Sequence, residues 1–380
     1  MELTEILTGG TEIISGIAAE WTDLCNEGAS NLPFLRPEWF LAFVNNFESK
    51  IDLVTVRRDG KLRAVLPLVS KTSNLHGIQV RKLQAVFNLN TQRFDLIHGA
   101  DEAERGPIVQ AMWSAIKNNT AWDVVEFRLV DRDSWLGDIL ALAEKENHKT
   151  GIWQMDSAPF ITLPHTENKE RSIDNYFKGS RTHLRQELNR RLRRLKEIGN
   201  VEFTVTRGFT NELMKTYLDL EARGWKGRGG TAVTDDPSVV RLHEEFASKV
   251  ADNDSLYIYE LKLDGSTIAM SLNIRYDKET VHWKTSYDEA YRRYSPGNLL
   301  FRELLTDCVK NGSPEIDFLS PPTPNKSFWA SGEREHVAFY IFQNGLYGKL
   351  LWAWKFGVIS GLRDLKTDRL GPMLSPQTQK

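Results

Sequence analysis

The sequence predicts an α/β chain built from two similar units, each a hairpin, then a helix, then a strand. Three observations carry that reading. The chain has 380 residues, enough for two or three domains. It is 41% hydrophobic, 26% charged and 10% aromatic, which excludes disordered, collagen-like and coiled-coil classes. And one pattern occurs twice, at residues 54–68 and again at residues 259–272.

Each copy opens with a short alternating strand, an Asp-Gly pair and a returning strand. Asp59-Gly60 and Asp264-Gly265 favour the turn with positive φ at both centres, so each copy reads as a β-hairpin. Further on, Ile116-Lys117-Asn118-Asn119 leads into a strand at 122–127, and Val309-Lys310-Asn311-Gly312 leads into one at 314–318. Gly60 to Asn118 spans 58 residues and Gly265 to Asn311 spans 46, so the first copy carries about twelve extra residues. Pro159, Pro164 and the polar run 166–171 place the boundary between the copies. The expected division is residues 1–160, residues 161–370 and a disordered tail at 371–380.

Charge and cysteine content exclude other classes. A net charge of −2 and a pI near 6.5 predict no nucleic-acid partner. Two cysteines, Cys25 and Cys308, exclude a disulfide framework and a four-thiolate zinc site. The N-terminus is acidic and has no apolar signal core. No run reaches the ~18 apolar residues of a spanning helix. A cytoplasmic protein is expected, with contact at the inner face of a membrane left open.

Between the copies lies a basic helix. Leu184, Leu188, Leu192 and Leu195 share one face, and seven basic residues stand between Arg181 and Lys196 against one acidic, Glu187. It reads either as a solvated face or as a contact to phosphate or an anionic surface. The C-terminal segment 346–365 reads as a second amphipathic helix, with Leu351, Trp354, Val358, Leu362 and Leu365 on one stripe. That stripe is either packed inside or seated in a membrane interface beside Lys349, Lys355 and Arg363.

Several chemistries are absent. There is no Gly-x-Ser-x-Gly elbow, and the eight histidines form no metal-binding pair, so no metal is expected. The run 224–231 resembles a P-loop but has Gly230 where the lysine is required. Its Lys226, Arg228 and Thr231 among glycines still suit an anion. The strongest local signal is Tyr294-Ser295-Pro296-Gly297-Asn298. A helix opens there after a strand, with Arg292 and Arg293 just before it. Unpaired N–H groups and the positive end of the dipole make such a start a phosphate seat.

These residues carry a resemblance. The runs 221–227 and 230–232, Leu263-Asp264-Gly265 with Ile268-Ala269, 284–290, Tyr294-Ser295-Pro296-Gly297 and Ile316-Asp317-Phe318 resemble the FemAB-like and CelD-like branch of the GNAT acyltransferase superfamily. In the first copy, Pro33-Phe34 with Pro37-Glu38-Trp39 resembles the family's opening. The resemblance spans roughly residues 20–345 and is specific at 284–297. It implies tandem GNAT-like domains, each a mixed sheet flanked by helices, the first a degenerate copy. It also implies acyl transfer to an amine, from acyl-CoA as co-substrate with no permanently bound cofactor, or from aminoacyl-tRNA. The acceptor classes are an amino sugar, a cell-envelope amine or a long-chain amino base. Members often carry a Gly-rich Tyr-Lys stretch after the Asp strand; here Ser320-Pro321-Pro322-Thr323-Pro324-Asn325-Lys326 stands there, and Lys326 matches.

Direct attack on a thioester needs a proton acceptor, an oxyanion partner and a proton for the thiolate. Asp317, Glu221 and His282 are the candidate bases. Asp317 sits in an apolar strand where desolvation would make it more basic, whereas His282, alternating with Trp283, reads more readily as a packed side chain than as a base. Lys284 suits the oxyanion and Tyr287 the leaving thiolate. Arg292, Arg293, Tyr294, Ser295, Pro296, Gly297 and Asn298 would hold the diphosphate, and Trp225, Lys226, Arg228, Thr231, Asp288 and Lys326 the substrate. The segments open to membrane contact are 181–196 and 346–365. The rival reading is a non-catalytic accessory protein for polysaccharide or cell-envelope synthesis on a degenerate fold.

Overall fold

The computed structural model describes residues 2–28, 32–87, 91–99, 101–118, 122–164, 169–224, 233–276 and 279–359. In chain order its strands are β1 (Glu2–Gly9), β2 (Ile51–Arg58), β3 (Lys61–Leu75), β4 (Ile78–Ala85), β5 (Ile97–His98), β6 (Val124–Asp131), β7 (Lys149–Gln154), β8 (Ala158–Thr162), β9 (Val201–Arg207), β10 (Leu256–Leu263), β11 (Ser266–Tyr276), β12 (Glu279–Tyr287), β13 (Glu315–Asp317), β14 (Gly332–Arg334) and β15 (His336–Phe342). Its helices are α1 (Thr11–Ser15), α2 (Ala18–Glu27), α3 (Pro37–Asn46), α4 (Arg105–Asn118), α5 (Trp135–Lys145), α6 (Lys169–Tyr176), α7 (Thr182–Lys196), α8 (Asn211–Arg223), α9 (Pro237–Asp252), α10 (Pro296–Asn311), α11 (Pro324–Trp329) and α12 (Leu346–Trp352).

Both Asp-Gly turns form as expected. Asp59 and Gly60 take φ of 51° and 78°, and Asp264 and Gly265 take 49° and 80°. The left-handed pair matches the twist of the flanking strands, so β2–β3 and β10–β11 pair without splaying. Each unit then places one strand parallel to the next through a crossover helix. β4 pairs with β6 across α4, and β12 pairs with β13 across α10. Two mixed sheets result. One runs β1-β2-β3-β4-β6-β15-β7, with β5 also on β3; the other runs β14-β8-β13-β12-β11-β10-β9.

The units are interleaved, so a single cut at residue 160 does not describe them. Unit 1 combines β1, Lys50–Met155 and the chain from His336 on; unit 2 combines Gly10–Ser49 and Asp156–Glu335. The physical reason is strand exchange. β8 follows β7 in the chain yet lies between β13 and β14, and β15 follows β14 yet lies between β6 and β7. The opening segment also belongs to unit 2. Phe34 and Trp39 pack on Phe246 of α9, and Arg36 lies 4.1 Å over the Tyr276 ring.

The twelve extra residues of the first copy have a location. In unit 2, β12 lies unbroken along β11. In unit 1 the matching strand stops at Ala85 and resumes at Ile97, where β5 continues along β3.

The C-terminal helix departs from its expected stripe. α12 runs into a π-helical turn, Ala353–Ile359. The wider turn shifts the phase of the side chains. Leu351 and Lys355 are buried, while Leu350 and Val358 are 58% and 47% exposed. Leu362 and Leu365 lie outside the described residues, as does the expected tail. Lys355 is thus an interior cation rather than an interfacial one. Its Nζ lies 3.2 Å from His76 Nε2, 4.1 Å from the Tyr340 ring centre and 4.4 Å from that of Trp153.

Burial among these rings pushes the Lys355 amine down from 10.5 to about 8; Glu126 opposes the shift, and Lys82 and Arg128 add to it. Between those two values the unfolded chain binds a proton that the folded chain does not, so stability rises with pH there. Wild type compared with Lys355→Met should therefore gain up to about 1.4 kcal/mol per pH unit from pH 8 to 10 in urea unfolding. Parallel pH profiles for the two proteins would refute this.

Candidate active site

The parallel pairing of β12 with β13 lasts two residue pairs, Thr280 with Ile316 and Val281 with Asp317. Beyond them the strands part. Leu319 takes φ of 58°, and its N–H donates to Asp317 Oδ1 at 2.7 Å, turning the chain back on itself. β12 continues to Tyr287 paired with β11. No strand among the described residues pairs with its other edge past Val281, which leaves a notch inside the sheet. A bulge lies at the apex of the notch. Leu272 faces Lys284 and Asn273 faces His282, so Trp283 is an extra residue of β12. Bulges bend the strand and leave backbone groups off the ladder.

From the notch, β12 leads to the expected helix start. Asp288 accepts from Ala290 N–H at 2.9 Å and caps the turn Glu289–Tyr294. Ser295 then adopts the left-handed conformation, φ 50°, and Pro296 opens α10. The Ser295 side chain does not cap the helix; its hydroxyl accepts from the Arg191 guanidinium of α7. Arg191 is itself held by Glu187, Nε to Oε1 at 2.6 Å. Pro296 has no N–H, and that of Gly297 has no partner among the described residues. Arg292 and Arg293 are exposed, with Arg293 4.7 Å over the Tyr294 ring. Asn298 Oδ1 accepts from Trp329 Nε1 at 3.0 Å. The Tyr287 ring closes the seat from the β12 side, 3.5 Å from where a Cβ on Gly297 would stand. The charge of the 181–196 run was legible in the sequence, but the docking of Arg191 on Ser295 was not.

The structure separates the remaining candidates. Glu221 is 1% exposed and fully engaged: Tyr217 Oη donates to Oε1 at 2.8 Å and Val233 N–H to Oε2 at 2.7 Å. It ties Val233 back onto α8. Burial first, then Glu221, pushes the Tyr217 phenol well above its usual value. Asp317 is buried, but Arg334 donates to its Oδ2 at 3.0 Å and grips Glu315 at 2.6 and 2.7 Å. The carboxylate is thus held in an ion pair that also anchors Glu315. The Lys326 amine donates to Ser320 and braces the proline loop. Lys284 is half-buried on β12. Asp288 serves as the cap already described. Trp225, Lys226, Arg228 and Thr231 lie outside the described residues.

His282 sits at the apex of the notch. Its Nδ1 is 2.7 Å from Asn273 Oδ1. The ring meets Phe301 and Phe318 edge-on, at centroid distances of 5.1 and 5.7 Å. Neither Asn273 nor its neighbour Ser271 was singled out from the sequence, because an Asn and a Ser on an apolar strand give no chemical signal without their partner. Among the described residues no group of three metal-ligating side chains assembles, and no helix is long and apolar enough to cross a membrane.

Unit 1 lacks both features. Phe94, in the insertion between β4 and β5, donates its N–H to Leu129 O of β6 at 3.1 Å and is fully buried, so the chain fills its own notch. Asp101, Glu102 and Glu104 stand at the start of α4, where unit 2 has Arg292 and Arg293. Glu102 is paired there with Arg105 and Glu104 with Arg58.

Residues 182–327 match the acetyltransferase (GNAT) domain family model. Among solved structures, FemX superposes with a TM-score of 0.58 at 12% identity, covering 90% of this chain and 98% of that one. The C-terminal domain of a protein assigned as a lysylphosphatidylglycerol synthetase from Agrobacterium fabrum gives 0.53 at 12%, covering 94% and 97%. A conserved protein of unknown function from Bacteroides thetaiotaomicron gives 0.53 at 10%, covering 90% and 100%. A search of curated protein sequences finds no match. At these identities the superpositions establish a common fold.

The hydrogen bonds of Glu221 predict how it responds to substitution. In Glu221→Gln the amide oxygen can still accept from Val233 and the amide N–H can donate to Tyr217, so stability should change by less than about 1 kcal/mol. Glu221→Leu orphans both donors and should cost about 2–4 kcal/mol in urea unfolding. A stable Glu221→Gln protein that has lost all turnover would instead make Glu221 the base.

Proposed function

Because residues 182–327 match the acetyltransferase (GNAT) domain family and the chain shares its fold with FemX, we propose that unit 2 is an N-acyltransferase of the FemAB-like branch that moves an acyl group from acyl-CoA to an amine. The observation that carries the proposal is the early end of the β12–β13 pairing, followed along β12 by an uncapped helix start flanked by Arg191, Arg292 and Arg293. An extended pantetheine arm would run along β12 past Val281 as an added strand would. The diphosphate then reaches the start of α10, where the helix dipole, the Gly297 N–H and the arginines favour it. That geometry brings the thioester to the apex, beside the Trp283 bulge.

In the reaction the amine nitrogen attacks the thioester carbonyl. A C–N bond forms, the carbonyl becomes an oxyanion, and the C–S bond then breaks. A proton leaves the amine and the CoA thiolate takes one up. Backbone N–H groups at the bulge and Lys284 of β12 are the partners assigned to the oxyanion in this reading. The filled notch and acidic helix start of unit 1 support a division of labour in which unit 2 alone takes the donor. Leu346, Tyr347 and Leu350, exposed on α12 of unit 1 beside Lys349, favour an acceptor met at a membrane surface, such as a long-chain amino base, over a free amino sugar.

Calorimetry with CoA, acetyl-CoA and palmitoyl-CoA tests the donor. Gly297→Ala places a methyl at ordinary contact distance from Tyr287 and should bind like wild type. Gly297→Glu puts a carboxylate in the phosphate seat and should weaken binding by at least about tenfold. Absence of binding by any CoA species would favour the accessory-protein reading.

A further inference from the structure

Resting on the acyltransferase reading, we propose that His282 is the catalytic base, held in its working tautomer by Asn273 and Ser271. The argument begins with Asn273, which is 1% exposed. Its Nδ2 lies 3.0 Å from Ser271 Oγ, 3.3 Å from Ser271 O and 3.4 Å from Tyr257 O. Carbonyl oxygens only accept, so the amide nitrogen must face them and Oδ1 must face His282. That oxygen only accepts as well. His282 Nδ1 therefore carries the hydrogen of the 2.7 Å bond, and in the neutral ring Nε2 carries the lone pair.

Three features make this more than a packed histidine. The relay is built of buried polar side chains on β11, where an apolar pair would fill the space without needing partners. His282 is the first β12 residue past the last pair with β13, and it adjoins the bulge. Its ring is clamped edge-on by Phe301 and Phe318, which fixes its orientation. The rival carboxylates are each engaged, Glu221 by two donors and Asp317 by Arg334.

The step balances. The amine loses a proton to His282 Nε2 as its nitrogen bonds to the acyl carbon. The C–S bond breaks with its electron pair on sulfur, and the imidazolium returns the proton to the thiolate. Among the titratable groups on neighbouring elements, Arg275 of β11 bonds Asp307 and Cys308 of α10, and Asp317 bonds Arg334; Lys284 lies two residues along β12 from His282.

Three measurements test the assignment. Nitrogen-15 NMR of histidine-labelled wild type, with the signal assigned by its loss in His282→Gln, should show the Nδ1–H tautomer; the Nε2–H tautomer overturns the proposal. Thiol release from acetyl-CoA with glucosamine or sphinganine as acceptor should fall by about 10²-fold or more in His282→Gln and lose its acid limb. The same reaction in His282→Ala should recover with added imidazole. Asn273→Leu should lower kcat at unchanged acetyl-CoA affinity and thermal stability permitting assay, and shift the acid limb. An acid limb that persists in His282→Gln overturns the role of His282 while leaving the acyltransferase reading in place. A wild type that binds no acetyl-CoA by calorimetry removes both.

Discussion

The architecture of unit 2 turns on how early one parallel pairing ends. β12 and β13 share two residue pairs and no more. The ending is enforced rather than frayed: Asp317 accepts from Leu319 N–H, and Arg334 fixes the same carboxylate while gripping Glu315. An ion pair on a buried carboxylate is costly to break from one side, so the turn is firmly held. The bulge, His282 and the start of α10 follow along β12 past that point.

The two sheets share a plan and differ in the features on which the proposed donor site rests. Both copies keep the left-handed Asp-Gly turn, the crossover helix and the short parallel pair. They differ at two places. Unit 1 interrupts the strand along β3 and uses Phe94 to bond β6, while in unit 2 no described strand pairs with that edge of β12 past Val281. At the helix start, three carboxylates in one unit stand where arginines stand in the other. Shape and charge changed together, which is what loss of an anionic ligand would permit.

Strand exchange ties the units to each other at the level of the chain. Each sheet is completed by a strand that immediately follows the other unit's last strand, β8 after β7 and β15 after β14. β15 is buried along its whole length, so unit 1 cannot assemble its core until the chain has passed through unit 2. Pairings that distant in sequence form slowly, because loop closure must precede the contacts that repay it. The buried Lys355 belongs to the same late-arriving segment, and it brings an amine into the aromatic pocket formed by Trp153 and Tyr340.

Local patterns in the sequence determined a good part of this protein. The two hairpins, the basic helix and the Ser295-Pro296-Gly297 helix start were legible because backbone preference and side-chain period act within a few residues. The length difference between the copies even foretold an insertion. Partnership was decided by the tertiary structure alone. Which strand lies beside β13, that Arg334 neutralises Asp317, that Glu221 holds Val233, that Asn273 orients His282 and that a π-turn buries Lys355 all depend on residues brought together from 9 to 279 positions apart. Those contacts are set by strand order and register, which no single stretch of sequence contains.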